Sequence, residues 1–362
     1  MKLYNLFLPI FCFIFFSFTT ANKKHEKTKS IYKEYTVTDN ATVAIDNKYG
    51  NLSITTWDKN NVEITVKITV KGNDLTKVNA KLNAIDVDFN ATKNLVEAKT
   101  IIQKTNTNSW TSWWGSNGSN INYKINYFIK IPKTNNINLF NKYGDIDLTN
   151  LEGIANIKCK YGNVHADKLL NAENTIELDY CGNSEFDYIN AAYIDADYSK
   201  IFVNNAEEIK SNTDYTTLKI EKIKNLSFNS DYGSVSAEKA NNISGESDYA
   251  SMKFGVVNKK LDINTKYGAI RVRNLANSFE KVTINGAYSG IKIGTESTNN
   301  FKFNVDLGYS GFNYPEEHVN MYKSIKKSSK KYYEGVFGND ENTNASININ
   351  SRYGGVSLKL ND

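Results

Sequence analysis

The chain has 362 residues, with 44 Lys and Arg against 39 Asp and Glu, a net charge of +5, and an apolar fraction of 40%. So even a balance argues against nucleic acid as a partner, because phosphate-tracking proteins carry a concentrated basic face and a much higher pI. Three prolines, 23 tyrosines and many Ile, Val and Thr favour strands over helices.

The opening MKLYNLFLPIFCFIFFSFTTANKKH places Lys2 ahead of an apolar run over residues 6–18, followed by small residues to Ala21. The run is too short to span a bilayer, so residues 1–21 read as a secretory signal peptide. Cys12 sits inside the run rather than after a small-residue motif, so no lipoprotein attachment site is read. No later segment is apolar enough to span, and residues 22–362 are read as one exported, soluble domain that is periplasmic, outer-surface or secreted. Cys159 and Cys181 remain after signal removal and can pair in an oxidising compartment, but two cysteines are no disulfide framework.

Beyond the signal the chain repeats itself. Tyr143, Tyr161, Tyr180, Tyr198, Tyr215, Tyr232, Tyr249, Tyr267, Tyr288 and Tyr309 follow at steps of 17 to 21 residues, with Tyr49 and Tyr353 before and after them, which gives twelve copies. Each tyrosine has alternating apolar or small residues before it, as in Leu226, Phe228 and Ser230 before Tyr232, and an apolar pair after it, as in Val235 and Ala237. Alternation of period 2 means strands with one buried face. The inward positions are even offsets before the tyrosine and odd offsets after it, so the phase breaks at the Tyr-Gly step. A corner or bulge produces such a break, and glycine, which accepts positive φ, is the residue expected to make it.

Strand, corner, strand and polar turn make one rung, so the sequence predicts an all-β fold: a parallel β-helix or β-solenoid of about 12 rungs. An antiparallel sandwich is the rival, but it would give alternate strands different surroundings. The tyrosines are expected to point inward and form a stacked ladder. In DYCGNSEF the glycine comes one residue late, so either Cys181 takes the tyrosine slot or the rung carries a bulge. Two insertions interrupt the rhythm. The first, at about 62–135, combines strands, a short helix near 75–84 and the stretch TNTNSWTSWWGSNGSN, and is expected to cap one end. The second, at about 315–345, is basic and polar and reads as a surface loop.

The signal peptide, YGNLSITTWDKNNVEITV with its following insertion, INYKINYFIKIP, the steps KYGNV, DYGSV and KYGAI, and the closing SININSRYGGVSLKL together resemble the bacterial putative-adhesin (auto-transporter-adhesin-like) β-helix family. That family is exported and of unknown biochemical role. The resemblance implies adhesion or surface display, and it carries no site residues to transfer.

Candidate chemistry is sparse. His25, His165 and His318 have no motif around them, and no phosphate loop, nucleophile elbow or zinc spacing occurs. Asp179, Asp197, Asp214, Asp231 and Asp248 each precede a tyrosine; stacked in register they form an acidic column at a spacing of about 4.8 Å that a calcium ion would relieve, or a plain solvated stripe. Lys219, Lys253, Arg271 and Lys292, four residues after their tyrosines, form a basic column. Trp110, Trp113 and Trp114 lie among Ser, Asn and Gly, where they contact a sugar or membrane interface or fold back as part of the cap.

The reading that results is a non-enzymatic, adhesin-like scaffold with no required cofactor, touching a surface glycan or an envelope protein. The alternatives are a carbohydrate-active enzyme, a polysaccharide lyase or hydrolase, on the same β-helix, and a periplasmic envelope-stress accessory protein.

Overall fold

The computed structural model describes residues 24–103 and 121–361. Within them the chain is all-β: 26 strands join in one sheet, with a single α-helix at Leu75–Asn83. The predicted signal peptide lies outside the described residues.

The central strands stack parallel and in register, as a solenoid does and a hairpin sandwich does not. In Thr217–Asp231, Leu218 and Ile220 point inward; Leu218 aligns with Ile201 on one neighbour and Val235 on the other, and Ile220 with Val203 and Ala237. Like side chains therefore meet on adjacent rungs, and each buried Ile, Leu or Val contributes about 1.5–3 kcal/mol relative to exposure. The inward columns merge into one apolar core along the stacked strands.

The corner differs from expectation in two linked ways. All twelve repeat tyrosines, Tyr49 through Tyr353, have positive φ, between 48° and 65°, whereas the glycines that follow them do not. A left-handed residue reverses the side-chain phase at its own position. Tyrosine, which simple alternation would aim inward, is thus turned out, and the next residue is turned in. Cys181, Ser199, Thr216, Ala250 and Ser289, all directly after a tyrosine, are buried. The inward tyrosine ladder is therefore corrected to an outward one.

Glycine at the inward corner position serves close approach rather than conformation. A Cβ on Gly144 would lie 2.1 Å from the carbonyl oxygen of Gly50, and one on Gly162 would lie 2.0 Å from that of Gly144. In DYCGNSEF, Tyr180 keeps the tyrosine slot with φ 55° and Cys181 takes the inward slot. Ser184 aligns with Ile201, which is three residues after Tyr198, yet it is four residues after Tyr180. The rung thus carries one extra residue, accommodated as a bulge.

Both ends of the stack are covered. At the N-terminal end, Leu95–Ile102 adds parallel to Thr42–Lys48, and Asn122–Pro132 adds parallel to Leu52–Trp57. The strands His25–Thr36, Asn61–Gly72 and Asn122–Pro132 pair antiparallel, and Ile85–Ala91 closes a hairpin on Leu95–Ile102. The helix between them starts at Asp74, whose carboxylate accepts from the amides of Thr76 and Lys77.

At the other end the expected surface loop is a second antiparallel hairpin, Val319–Lys326 with Lys330–Phe337, laid against Phe301–Gly308. Its buried Tyr333, Val336 and Phe337 were hidden in the sequence by the surrounding lysines. Those lysines mark the strand left at the edge, where charge discourages pairing with another chain. The last strands do not come last in space: Ser346–Arg352 lies between Lys281–Ala287 and Phe301–Gly308, parallel to both.

Gly162→Ala should cost about 1–3 kcal/mol, since the added methyl meets a backbone carbonyl that cannot give way. Gly355→Ala, where a Cβ meets nothing within 4 Å, serves as the control. Denaturant midpoints check both; equal midpoints would show that the inward corner is not tightly packed.

Candidate functional site

The outward tyrosines form a continuous stack along the molecule. Neighbouring ring centroids lie 4.8–5.2 Å apart with interplanar angles of 2–20°. The stack departs from chain order once, because Tyr353 sits between Tyr288 and Tyr309. At the first ring, Tyr123 packs edge-on against Tyr49 at 5.2 Å, and the Lys81 ammonium lies 4.4 Å from the Tyr123 centroid. Exposure of the twelve side chains runs from 38% at Tyr49 to 65% at Tyr309.

Each tyrosine is held by its backbone. The Tyr161 amide donates to the Asp179 carbonyl at 3.0 Å and the Tyr180 amide to the Asp197 carbonyl at 3.0 Å; the pattern repeats to Tyr353, which donates to Gly308 at 2.9 Å. These bonds hold a conformation that costs an ordinary side chain about 1–2 kcal/mol. A stacked aromatic pair returns about 0.5–1.5 kcal/mol beyond area burial. The two nearly cancel, so stacking alone does not explain why tyrosine rather than asparagine, the cheaper left-handed residue, stands at every corner. Because the ring faces cover one another, the ladder presents ring edges and hydroxyls to solvent. Desolvation, then the neighbouring phenols of Tyr215 and Tyr180, raise the pKa of Tyr198.

Beside the ladder runs the column of residues that precede the tyrosines. Register sets Lys142 beside Lys160, then Asp179, Asp197, Asp214, Asp231 and Asp248 in succession, then Lys266. Lys160 forms an ion pair with Asp179, and the Lys142 ammonium lies 4.8 Å from the Tyr143 centroid. Desolvation and then Asp179, Asp195 and Asp214 raise the pKa of Asp197. The five carboxylates follow one another in a row, and among the described residues no group of three or more His, Cys, Asp and Glu is placed to hold a metal ion.

The other sequence candidates are scattered. Lys219, Lys253, Arg271 and Lys292 share a column, interrupted by Ser236. His165 Nδ1 lies 3.4 Å from the Asp147 carboxylate, His25 begins the first strand, and His318 stacks on Phe337. Cys159 and Cys181 are buried free thiols; the Cys181 thiol donates to the Cys159 carbonyl at 3.3 Å, and a hydrogen bond with Cys181 together with burial pushes the Cys159 thiol up. Trp110, Trp113 and Trp114 lie outside the described residues. Sequence reasoning missed Tyr123 as the end stop of the ladder, since it lies in a strand of the first insertion, outside the repeat.

No family model matches the sequence, and no curated protein does. Solved structures with some likeness include a "putative adhesin" from Parabacteroides distasonis (9% identity, 92% of this chain and 97% of that one, TM-score 0.36). A "putative adhesin" from Parabacteroides merdae matches at 7% identity over 74% and 92% of the two chains, TM-score 0.32. A "putative cell adhesion protein" from Clostridium sporogenes matches at 11% identity over 92% and 100%, TM-score 0.18. At these scores they decide neither fold nor function, which rest on the geometry above.

Two outcomes follow from the balance of forces. Tyr215→Asn trades the strain of a left-handed aromatic against two stacking contacts and should shift stability by less than about 2 kcal/mol; a larger loss in denaturant melts would make the ladder a structural necessity. Asp197 holds its proton more readily in the fold than when unfolded, so its contribution is full below about pH 3.9 and is lost as pH rises through the raised folded value. Asp197→Asn should therefore melt higher at pH 7, by on the order of 1 °C for so exposed a group, and equal the parent near pH 3. A lower melting temperature at pH 7 contradicts the repulsion.

Proposed function

We propose that the chain is an exported, non-enzymatic scaffold of the adhesin-like kind: one β-solenoid of twelve tyrosine-cornered rungs over residues 22–362, with capping insertions at about 62–135 and 315–345. It acts at the periplasm, the outer surface or beyond the cell by contacting a surface glycan or an envelope protein. The observation that carries this reading is the exposed tyrosine ladder, kept at strained backbone angles along the molecule. Local strain held in place by surrounding bonds is found where a function needs the side chain there, and exposed aromatic surface marks contact sites. Among the described residues no helix is long and apolar enough to cross a membrane. No observation favours the enzyme or the stress-accessory alternative.

The test has two readings. Fractionation and surface proteolysis of the cells that make the protein should find it outside the cytoplasm. Beads coated with the purified chain should adhere to envelope material, and replacing Tyr198, Tyr215 and Tyr232 together with serine should reduce that adhesion at least fivefold. Cytoplasmic retention, or full adhesion by the triple variant, contradicts the proposal.

A further inference from the structure

Building on the adhesin-like reading, we infer that the ladder binds an extended, uncharged β-1,4-linked polysaccharide that lies along the stack with one sugar facing each tyrosine. Three observations narrow the occupant to this class.

The first is the repeat. Centroids recur every 4.8–5.2 Å for the length of the stack. An extended peptide advances about 3.2–3.4 Å per residue, so two residues overshoot a single step; three residues span two steps but turn the side chain to the opposite face, and a given side-chain contact returns only every fourth rung. A sugar in an extended β-1,4-linked chain advances by nearly one step and each sugar is turned over relative to the last, so every tyrosine meets a sugar and the same contact recurs at every second tyrosine.

The second is charge. The column beside the ladder is basic at Lys142 and Lys160, acidic from Asp179 to Asp248 and basic again at Lys266. A uniformly charged polymer, whether a polyanionic glycan, a nucleic acid or a polycation, meets its own sign on part of that path. A neutral polymer meets carboxylates, ammonium groups and phenols that can all hydrogen-bond its hydroxyls.

The third is shape. Each ring is covered on its faces by its neighbours, so a sugar cannot stack flat on a tyrosine and must run across the ring edges within reach of the hydroxyls. On the side that follows the tyrosines, the outward residues become small along the stack: Thr217, Ser234, Ser251, Ala269 and Gly290 occupy successive rungs. A Cβ added at Gly290, Gly311 or Gly355 meets nothing within 4 Å. A row of small residues, Thr217 to Gly290, thus borders the phenols of Tyr215 to Tyr288 and leaves their edges open to a chain lying along the stack.

Calorimetric titration of the full chain with cello- and chito-oligosaccharides of two, four and six sugars tests the inference. The expected result is affinity that rises at least tenfold from two sugars to six and changes little with salt. Tyr198→Phe, Tyr215→Phe and Tyr232→Phe combined keep the rings stacked but remove three hydroxyls. This variant should melt like the parent and bind the hexamer at least tenfold more weakly. Affinity independent of length, equal binding by the phenylalanine variant, or equal binding of a β-1,3-linked hexamer, whose curved chain cannot follow the repeat, would overturn it. If the oligosaccharides do not bind while chain-coated beads still adhere to envelope protein, the polysaccharide falls and the adhesin-like reading stands.

Discussion

The structure turns on one hydrogen bond repeated along the corners: the amide of a left-handed tyrosine donates to the carbonyl of the residue that precedes the next tyrosine in the stack, and at the last, Tyr309, to the carbonyl of Ser329 in the capping hairpin. That bond sets the rise between rungs, and it fixes a backbone angle that tyrosine would otherwise avoid. The angle flips the side-chain phase, so the strand before the corner and the strand after it both aim their apolar residues at one core while the ring goes out. Parallel register, the continuous core and the exposed stack are all consequences of this corner.

A stack of parallel strands leaves open edges, and this chain covers them with added strands: at the first end Leu95–Ile102 and Asn122–Pro132 join parallel and carry antiparallel partners, and at the second an antiparallel hairpin is laid on. The two ends are solved differently. The first cap contributes Tyr123, which ends the aromatic stack, and buries Tyr127 completely, its hydroxyl bonded to Thr100 at 2.8 Å. The second places a lysine-bearing strand at the edge and leaves Tyr309 the most exposed ring of the ladder. Inserting Ser346–Arg352 between two earlier strands ties the C-terminal segment into the body of the sheet on both sides.

Much of this was legible in the residues. Period-2 alternation and the equal surroundings of each tyrosine indicated parallel stacked strands, and the phase break located the corner. Which residue makes the break was not legible, because glycine is the usual owner of positive φ and tyrosine almost never is. That single ambiguity turned the ladder inside out. The position of Tyr353 was also beyond reach, since linear order says nothing of a strand that returns to lie between two earlier ones. At the far cap, the lysines of KSIKKSSKKYY masked an alternation of apolar residues on the strand that follows. The aspartate column did follow from spacing alone, because residues one step before a repeated corner must align whichever way the corner turns.

The central claim is that the tyrosines face solvent while standing in the slot where alternation would bury them. Nitration of the folded protein with tetranitromethane, mapped by peptide mass spectrometry, addresses this directly. Tyr198, Tyr215, Tyr232 and the other ladder tyrosines should be modified readily, and Tyr127, with 0% exposure, should be spared until the protein unfolds. Ladder tyrosines as protected as Tyr127 would return the rings to the core and contradict the corner on which the structure rests.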